Sequence, residues 1–185
     1  MNKVNTKTLD IISNETLDTE KVNHAKEILL DLQADLKTRI GSNGVGPFLA
    51  AIYDEKGNLV SKETNSVVHD QCSNCHAEVN AIRAAEKKLG TYDLAPYNLS
   101  LYVTSEPCIM CLGAIMWSGI RNVYYGVTSK RVEEITGFDE GFKPDWLNEF
   151  KNRGITVYGN IATKEGEDVL EYYVNSGEPV YKPSR

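Results

Sequence analysis

The chain has 185 residues, 41% hydrophobic and 25% charged, enough for one well-buried core and short for two domains. Its 20 Lys plus Arg against 26 Asp plus Glu leave a formal charge of −6. That balance opposes a polyphosphate partner, and the basic residues are scattered, as at Lys87-Lys88 and Lys130-Arg131, so nucleic acid is disfavoured. No apolar run approaches the roughly 18 to 20 residues of a membrane span. Met1 to Ile12 lacks the apolar core of a secretory signal, so a cytoplasmic protein is expected.

Residues 1–16 are polar and are expected to be flexible. From Asp18 to Arg39, Val22, Ala25, Ile28, Leu29, Leu32 and Leu36 recur at helical spacing, with Asp18 or Thr19 as N-cap. Phe48 to Tyr53 and Leu59 to Thr64 read as a hairpin turned at Asp54 to Asn58. A loop from Asn65 to Cys75 leads to a helix from about His76 to Leu89, stopped by Gly90. Leu99 to Thr104 alternates as a strand, and Pro107 is read as the opening position of a short helix. A strand at Asn122 to Val127, a glycine-bounded loop Gly137 to Gly141, a helix at Pro144 to Arg153, a strand at Ile155 to Tyr158 and a helix at Glu165 to Asn175 complete the chain. Strand and helix alternate from Leu99 onward, so right-handed crossovers should lay the last three strands parallel behind the antiparallel hairpin. The expected fold is α/β, a five-stranded mixed sheet with helices on both faces.

The chemistry concentrates in His76-Ala77-Glu78 and Pro107-Cys108-Ile109-Met110-Cys111. One histidine and two cysteines suit Zn2+, and three protein ligands leave a fourth position for a water whose pKa a catalytic zinc lowers to roughly 7. Cys108 and Cys111, three apart in a first helical turn, can aim both sulfurs at one point, where free N–H groups favour thiolate. Glu78 stands beside the metal as a carboxyl group able to shuttle protons among water, a ring nitrogen and a departing amine. The competing pattern is Cys72-Ser73-Asn74-Cys75 with Cys108 and Cys111, a four-cysteine structural zinc site in a non-catalytic binding module. It needs 32 intervening residues between Cys75 and Cys108, beyond the roughly 15 to 20 of such sites, and leaves His76 and Glu78 unexplained. His24 reads as a surface residue, and His69 as an exposed loop residue or one near the site mouth.

The segment from about Pro47 to Gly141 resembles the cytidine deaminase-like superfamily, and within it bacterial guanine deaminases. The carrying strings are Pro47-Phe48, His76-Ala77-Glu78-Val79-Asn80-Ala81-Ile82-Arg83 and Thr104-Ser105-Glu106-Pro107-Cys108-Ile109-Met110-Cys111-Leu112-Gly113-Ala114-Ile115. The resemblance implies a three-layer α/β/α sandwich, a single zinc deaminase domain, one zinc per chain on His76, Cys108 and Cys111, and a homodimer acting on a small nucleobase or nucleoside. It implies guanine plus water to xanthine plus ammonia, with guanosine, another nucleoside or cytosine as runner-up substrates. It gives catalytic roles to Glu78 and Glu140 and pocket roles to Asn65, Phe48, Ala77, Trp117 and Phe138. By residue type alone, Glu140 is a solvated acid, Asn65 a turn cap, and Phe48, Trp117 and Phe138 core. Residues 160–185 form a C-terminal extension, in which Tyr181 is similar to an aromatic that some guanine deaminases insert into the partner subunit's site. The chain departs from the family at Cys72 to Cys75, where many relatives have Asp-Pro-Thr-Ala. The tRNA adenosine deaminase branch shares the zinc strings, but the acidic balance and the Glu140 loop oppose it.

Overall fold

The computed structural model describes residues 10–12, 18–42 and 44–182. Strand β1 (Asp10–Ile12) is followed by helix α1 (Thr19–Arg39), which starts where the Asp18 carboxylate accepts from the N–H groups of Glu20 and Lys21. The apolar stripe foreseen for α1 is buried along its length. The hairpin is β2 (Leu49–Tyr53) and β3 (Leu59–Thr64), and the loop after it holds one helical turn, α2 (Val67–Asp70). Then come α3 (Ala77–Leu89), closed by left-handed Gly90, β4 (Ser100–Ser105), α4 (Ile109–Ser118) and β5 (Asn122–Val127). Helices α5 (Ser129–Thr136) and α6 (Trp146–Asn152), strand β6 (Thr156–Gly159) and helix α7 (Thr163–Asn175) complete the described fold.

The sheet order is β1-β6-β5-β4-β2-β3. As expected, β4, β5 and β6 run parallel and the hairpin runs antiparallel. A sixth strand is added: Asp10 to Ile12 pairs antiparallel with β6, inside the stretch expected to be flexible. Backbone pairing at a sheet edge asks little of side-chain pattern, so a strand of three residues can supply it. The remainder of that expectation, residues 1–9 and 13–16, lies outside the described residues. Two further differences concern helices. Pro107 precedes the helix rather than opening it, because Cys108, with extended backbone at ψ 170°, is the N-cap of α4. Helix α5 occupies a stretch to which the sequence reading assigns no element, and Val132 is its one large apolar residue that is fully buried.

Period-two alternation sorts the strands into two cores. Leu49, Ala51, Tyr102, Tyr124 and Tyr158 face α1, α5 and α7. Ala50, Ile52, Leu101, Val103, Val123, Tyr125 and Val157 face α3, α4 and α6. On the first face Tyr102 stacks on Tyr124 at 4.7 Å and Tyr124 on Tyr158 at 5.4 Å, each pair in register across neighbouring strands. Gly126 lets β5 lie close against β4, since a Cβ there would lie 2.4 Å from the Thr104 carbonyl oxygen. A backbone oxygen cannot rotate away. Gly126→Ala is therefore expected to destabilise the protein by about 1 to 3 kcal/mol, read as a lower urea midpoint with unchanged slope.

Candidate active site

One end of the sheet gathers the chemistry. Strand β2 runs against β4, and β3 against β2, so Phe48 before β2, Asn65 after β3 and Glu106 to Cys108 after β4 all emerge at the same end. This is the carboxyl end of the parallel strands, where an open α/β sheet leaves its crevice.

The metal donors sit at two helix starts. His76 is the N-cap of α3 and Cys108 the N-cap of α4, and neither side chain caps its own helix. Both turn instead toward Cys111, in the first turn of α4. His76 Nδ1 lies 3.5 Å from Cys108 Sγ and 3.7 Å from Cys111 Sγ, and the sulfurs are 3.7 Å apart. Tetrahedral zinc with bonds of about 2.3 Å to sulfur and 2.0 to 2.1 Å to nitrogen requires ligand separations of about 3.8 and 3.6 Å. The triangle fits that ion. Among the described residues, these three are the cluster able to hold a metal, and Cys72 and Cys75 are not part of it. The four-cysteine alternative is thereby corrected: Cys72 closes a turn in which the Cys75 N–H donates to its carbonyl at 3.1 Å, apart from the triad.

The electrostatics are those of a crowded anionic site. The hydrogen bond from the Cys111 thiol, joined by His76, holds Cys108 down at about 4 against the opposing effect of burial. Cys111 is pushed up in turn, by that same pairing and by burial. Burial works against a charged His76, yet the neighbouring Cys108 thiolate outweighs it and raises the imidazole pKa. Glu78, in the first turn of α3 and 5% exposed, rises to about 7 through burial and then through Cys108. Glu140 rises to about 8, again chiefly by burial, with Lys143 pulling down and Cys108 and Glu78 pushing up. A dication reverses much of this, because it favours every ionised neighbour and takes both sulfurs as thiolates.

Around the triad the described residues build a rim. Asn65 is fully buried; its Oδ1 accepts from the Val67 N–H at 3.3 Å and its Nδ2 donates to the Tyr181 hydroxyl at 2.6 Å. Tyr181 lies edge-on to His76 at 6.4 Å and to Phe138 at 5.0 Å, and Phe138 meets Phe48 at 5.5 Å. The Asn80 amide donates to the carbonyls of Thr64 and Cys75 and to Ser66 Oγ, tying the Asn65 loop to α3. Ala77, fully buried at the first position of α3, has a backbone N–H without an intrahelical partner by its place in the helix.

The sequence-predicted residues divide accordingly. His76, Glu78, Cys108, Cys111, Ala77, Asn65, Phe48, Phe138 and Glu140 are brought to this end of the sheet. Trp117 is not: it is 82% exposed. It stands six residues beyond Cys111, about 9 Å along α4 and well round its circumference, so the helix directs it elsewhere. Tyr181, expected against a partner subunit, reaches the site of its own chain, because the Tyr173 hydroxyl holds the Pro179 carbonyl at 2.7 Å and turns the tail back. His69 is exposed and paired with Asp70, and His24 is exposed on α1. Two residues were missed. Gly46 leaves room for the Asn65 side chain, whose Oδ1 would lie 2.6 Å from a Cβ there. Lys143 binds Glu106 at 2.9 Å, and the acid beside Pro107-Cys108 was the available signal for it.

Zinc content by elemental analysis tests the donor set. Cys108→Ser and Cys111→Ser should each lower bound zinc well below one per chain, whereas Cys72→Ser plus Cys75→Ser should leave it near one; the reverse pattern would overturn the assignment.

Comparison with known proteins agrees with this geometry. Residues 19–127 match the cytidine and deoxycytidylate deaminase zinc-binding region. The guanine deaminase of Bacillus subtilis is 38% identical over 99 residues, 54% of this chain and 62% of that protein, so the match spans under two thirds of its length. A tRNA-specific adenosine deaminase of Buchnera aphidicola is 37% identical over 132 residues, 71% of this chain and 82% of that protein. The solved structure of NE0047 in complex with 2,6-diaminopurine superposes with a TM-score of 0.79 at 34% identity, covering 85% of each chain. With two helix starts holding a His-Cys-Cys triangle of zinc dimensions inside the matched region, the chain belongs to the cytidine and deoxycytidylate deaminase zinc-binding family.

Proposed function

We propose that the protein is a zinc-dependent aminohydrolase that converts guanine and water to xanthine and ammonia. What supports this reading is that the Asn65 amide and the Phe138 ring, two residues before Glu140, both meet Tyr181, whose ring lies edge-on to His76. Glu140 acts electrostatically on His76, Cys108 and Glu78. Guanine presents N1–H and its 2-amino group as donors; a carboxylate accepts from them, and an Asn amide donates and accepts together. The aromatic rim of Phe48, Phe138 and Tyr181 offers faces and edges to a planar base. Similarity to a guanine deaminase and to a structure holding a diaminopurine gives further support.

Zinc, when bound, supplies the activation of water for attack at C2. Glu78 would take one proton from this water and deliver it to a ring nitrogen, then take the remaining proton of the added hydroxyl and pass it to the 2-amino group, so that the C2–N bond breaks as the C2 carbonyl forms and ammonia leaves. Its place in the first turn of α3, two residues after His76 and buried, sets it beside the ligands without making it one. Glu140 orients the base and helps carry protons to the departing amine. Asn65 reads the purine edge, and the Ala77 N–H supplies a further donor. The family resemblance supports a cytoplasmic homodimer acting on free bases. Light scattering at assay concentration should give twice the mass of one chain, and a monomer would refute that part of the reading. The alternative of a tRNA substrate draws on the adenosine deaminase relative, but the charge of −6 works against polyphosphate.

An ammonia-release panel over guanine, guanosine, adenine, adenosine, cytosine and cytidine decides the substrate. Guanine should be turned over, and Glu78→Gln should lose on the order of 10³ to 10⁴ in kcat while keeping its zinc. Turnover confined to cytidine or adenosine would refute guanine, and no release from any amine by zinc-loaded protein would refute the enzyme.

A further inference from the structure

The loop that carries Phe138 and Glu140 leaves α5 at left-handed Gly137 and rejoins regular structure at α6. Its near limb is tied to α5: the Phe138 N–H donates to Thr136 Oγ1 and the Glu140 N–H to Glu133 Oε1, both at 3.1 Å. Its far limb is tied differently. Lys143 Nζ meets Glu106 Oε1 at 2.9 Å, with side chains only 16% and 13% exposed, and also donates to Ser129 Oγ. The second carboxylate oxygen of Glu106 accepts from the Ser129 N–H at 2.8 Å, at the start of α5, where the helix dipole favours an anion. The Glu106 N–H in turn donates to the Val127 carbonyl at 2.7 Å. Glu106 is thus fixed by two strand ends and one helix start, two residues before the metal donor Cys108.

We infer that the Glu106–Lys143 ion pair is the clasp that sets the Glu140 loop over the metal triad, making Lys143 and Glu106 positioning residues for base recognition; the recognition role rests on the guanine reading above. The geometry suits a clasp better than a general stabiliser. A half-exposed pair such as Arg131–Glu134 contributes little and holds nothing in place. A largely buried pair whose carboxylate is also held by a backbone N–H has one low-energy arrangement, and removing one partner leaves the other charge uncompensated. The pair also joins two separate parts of the site: the segment leading into α4 and a loop with left-handed glycines at Gly137 and Gly141. Through it, Glu140 keeps its distance from the triad when the loop's own backbone would allow several.

Lys143→Met, Glu106→Gln, the double variant and Lys143→Arg test this in the zinc-loaded protein. Amide hydrogen exchange across residues 138–142, which needs no substrate, should accelerate about tenfold or more in both single variants. With guanine, KM should rise on the order of 10- to 100-fold with a smaller change in kcat. Mere destabilisation would remove active enzyme, lowering kcat and leaving KM alone. The double variant should be no worse than the worse single, and Lys143→Arg should restore most of the loss. Unchanged exchange and KM in Lys143→Met would overturn the clasp, as would additive losses. Loss of zinc by Lys143→Met would also overturn it, since the pair would then be holding the metal helix and not the loop. If Glu106→Gln fails to fold, Lys143→Met and Lys143→Arg decide the matter, because both alter the loop and leave the α4 approach intact. If the unaltered protein does not turn over guanine, the substrate reading falls and the exchange result alone judges the clasp.

Discussion

Everything in this site depends on two helices starting at the same point. The first turns of α3 and α4 each leave backbone N–H groups without intrahelical partners, and both dipoles present their positive ends there. The usual remedy is a capping side chain, but His76 and Cys108, which hold the cap positions, spend their side chains on each other and on Cys111. Two positive helix ends would repel a dication if the ligands were neutral. Two thiolates resolve this, since they draw stabilisation from the helix starts and then neutralise the metal. The choice of sulfur over further imidazoles follows from where the helices begin.

The same constraint explains why the sheet is wound as it is. The antiparallel hairpin turns β3 so that its carboxyl end lies with that of β4, which brings Asn65 to the same end of the sheet as Pro107, 42 positions later in the chain. Asn80, one turn into α3, then holds the Asn65 loop against that helix. Placing α3 on one face and α1 on the other leaves the strand ends uncovered, and the 137–143 loop and the Tyr181 tail close over them.

Much of this was legible in the chain. Helix α3 announces itself by apolar spacing and a terminal Gly90, and β3 and β5 have the bounds that alternation gives them. The zinc ligands were legible because metal chemistry restricts residue type and spacing together. What was not legible depended on directions that sequence encodes weakly. Helix α5 carries charges on most of its surface and buries one large apolar residue, so its periodicity is too thin to read. Strand β1 has three residues, too few for alternation to be read. Trp117 suggests a core or stacking residue by type, yet its angle on α4 turns it outward, and that angle depends on which residues of α4 the zinc claims.

The charge balance at the strand ends links these parts into one argument. Cys108, Cys111, Glu78 and Glu140 are four acids within electrostatic reach of one another, and burial raises both carboxyls, to about 7 and about 8. Such a cluster cannot all be ionised without compensation, which comes from three sources of different reach. The helix starts act on the sulfurs, a bound dication would act on all four acids, and Lys143 lowers Glu140. Lys143 is itself paired with Glu106, so the loop gains a local positive charge without adding a net one. The two carboxyls share Cys108 as a neighbour and differ in what lowers them: His76, two residues earlier in the chain, lowers Glu78, and Lys143, three residues along its own loop, lowers Glu140 ahead of His76. Burial thus raises both carboxyls alike, and the charge of a bound dication and of Lys143 would decide how far each is brought down again.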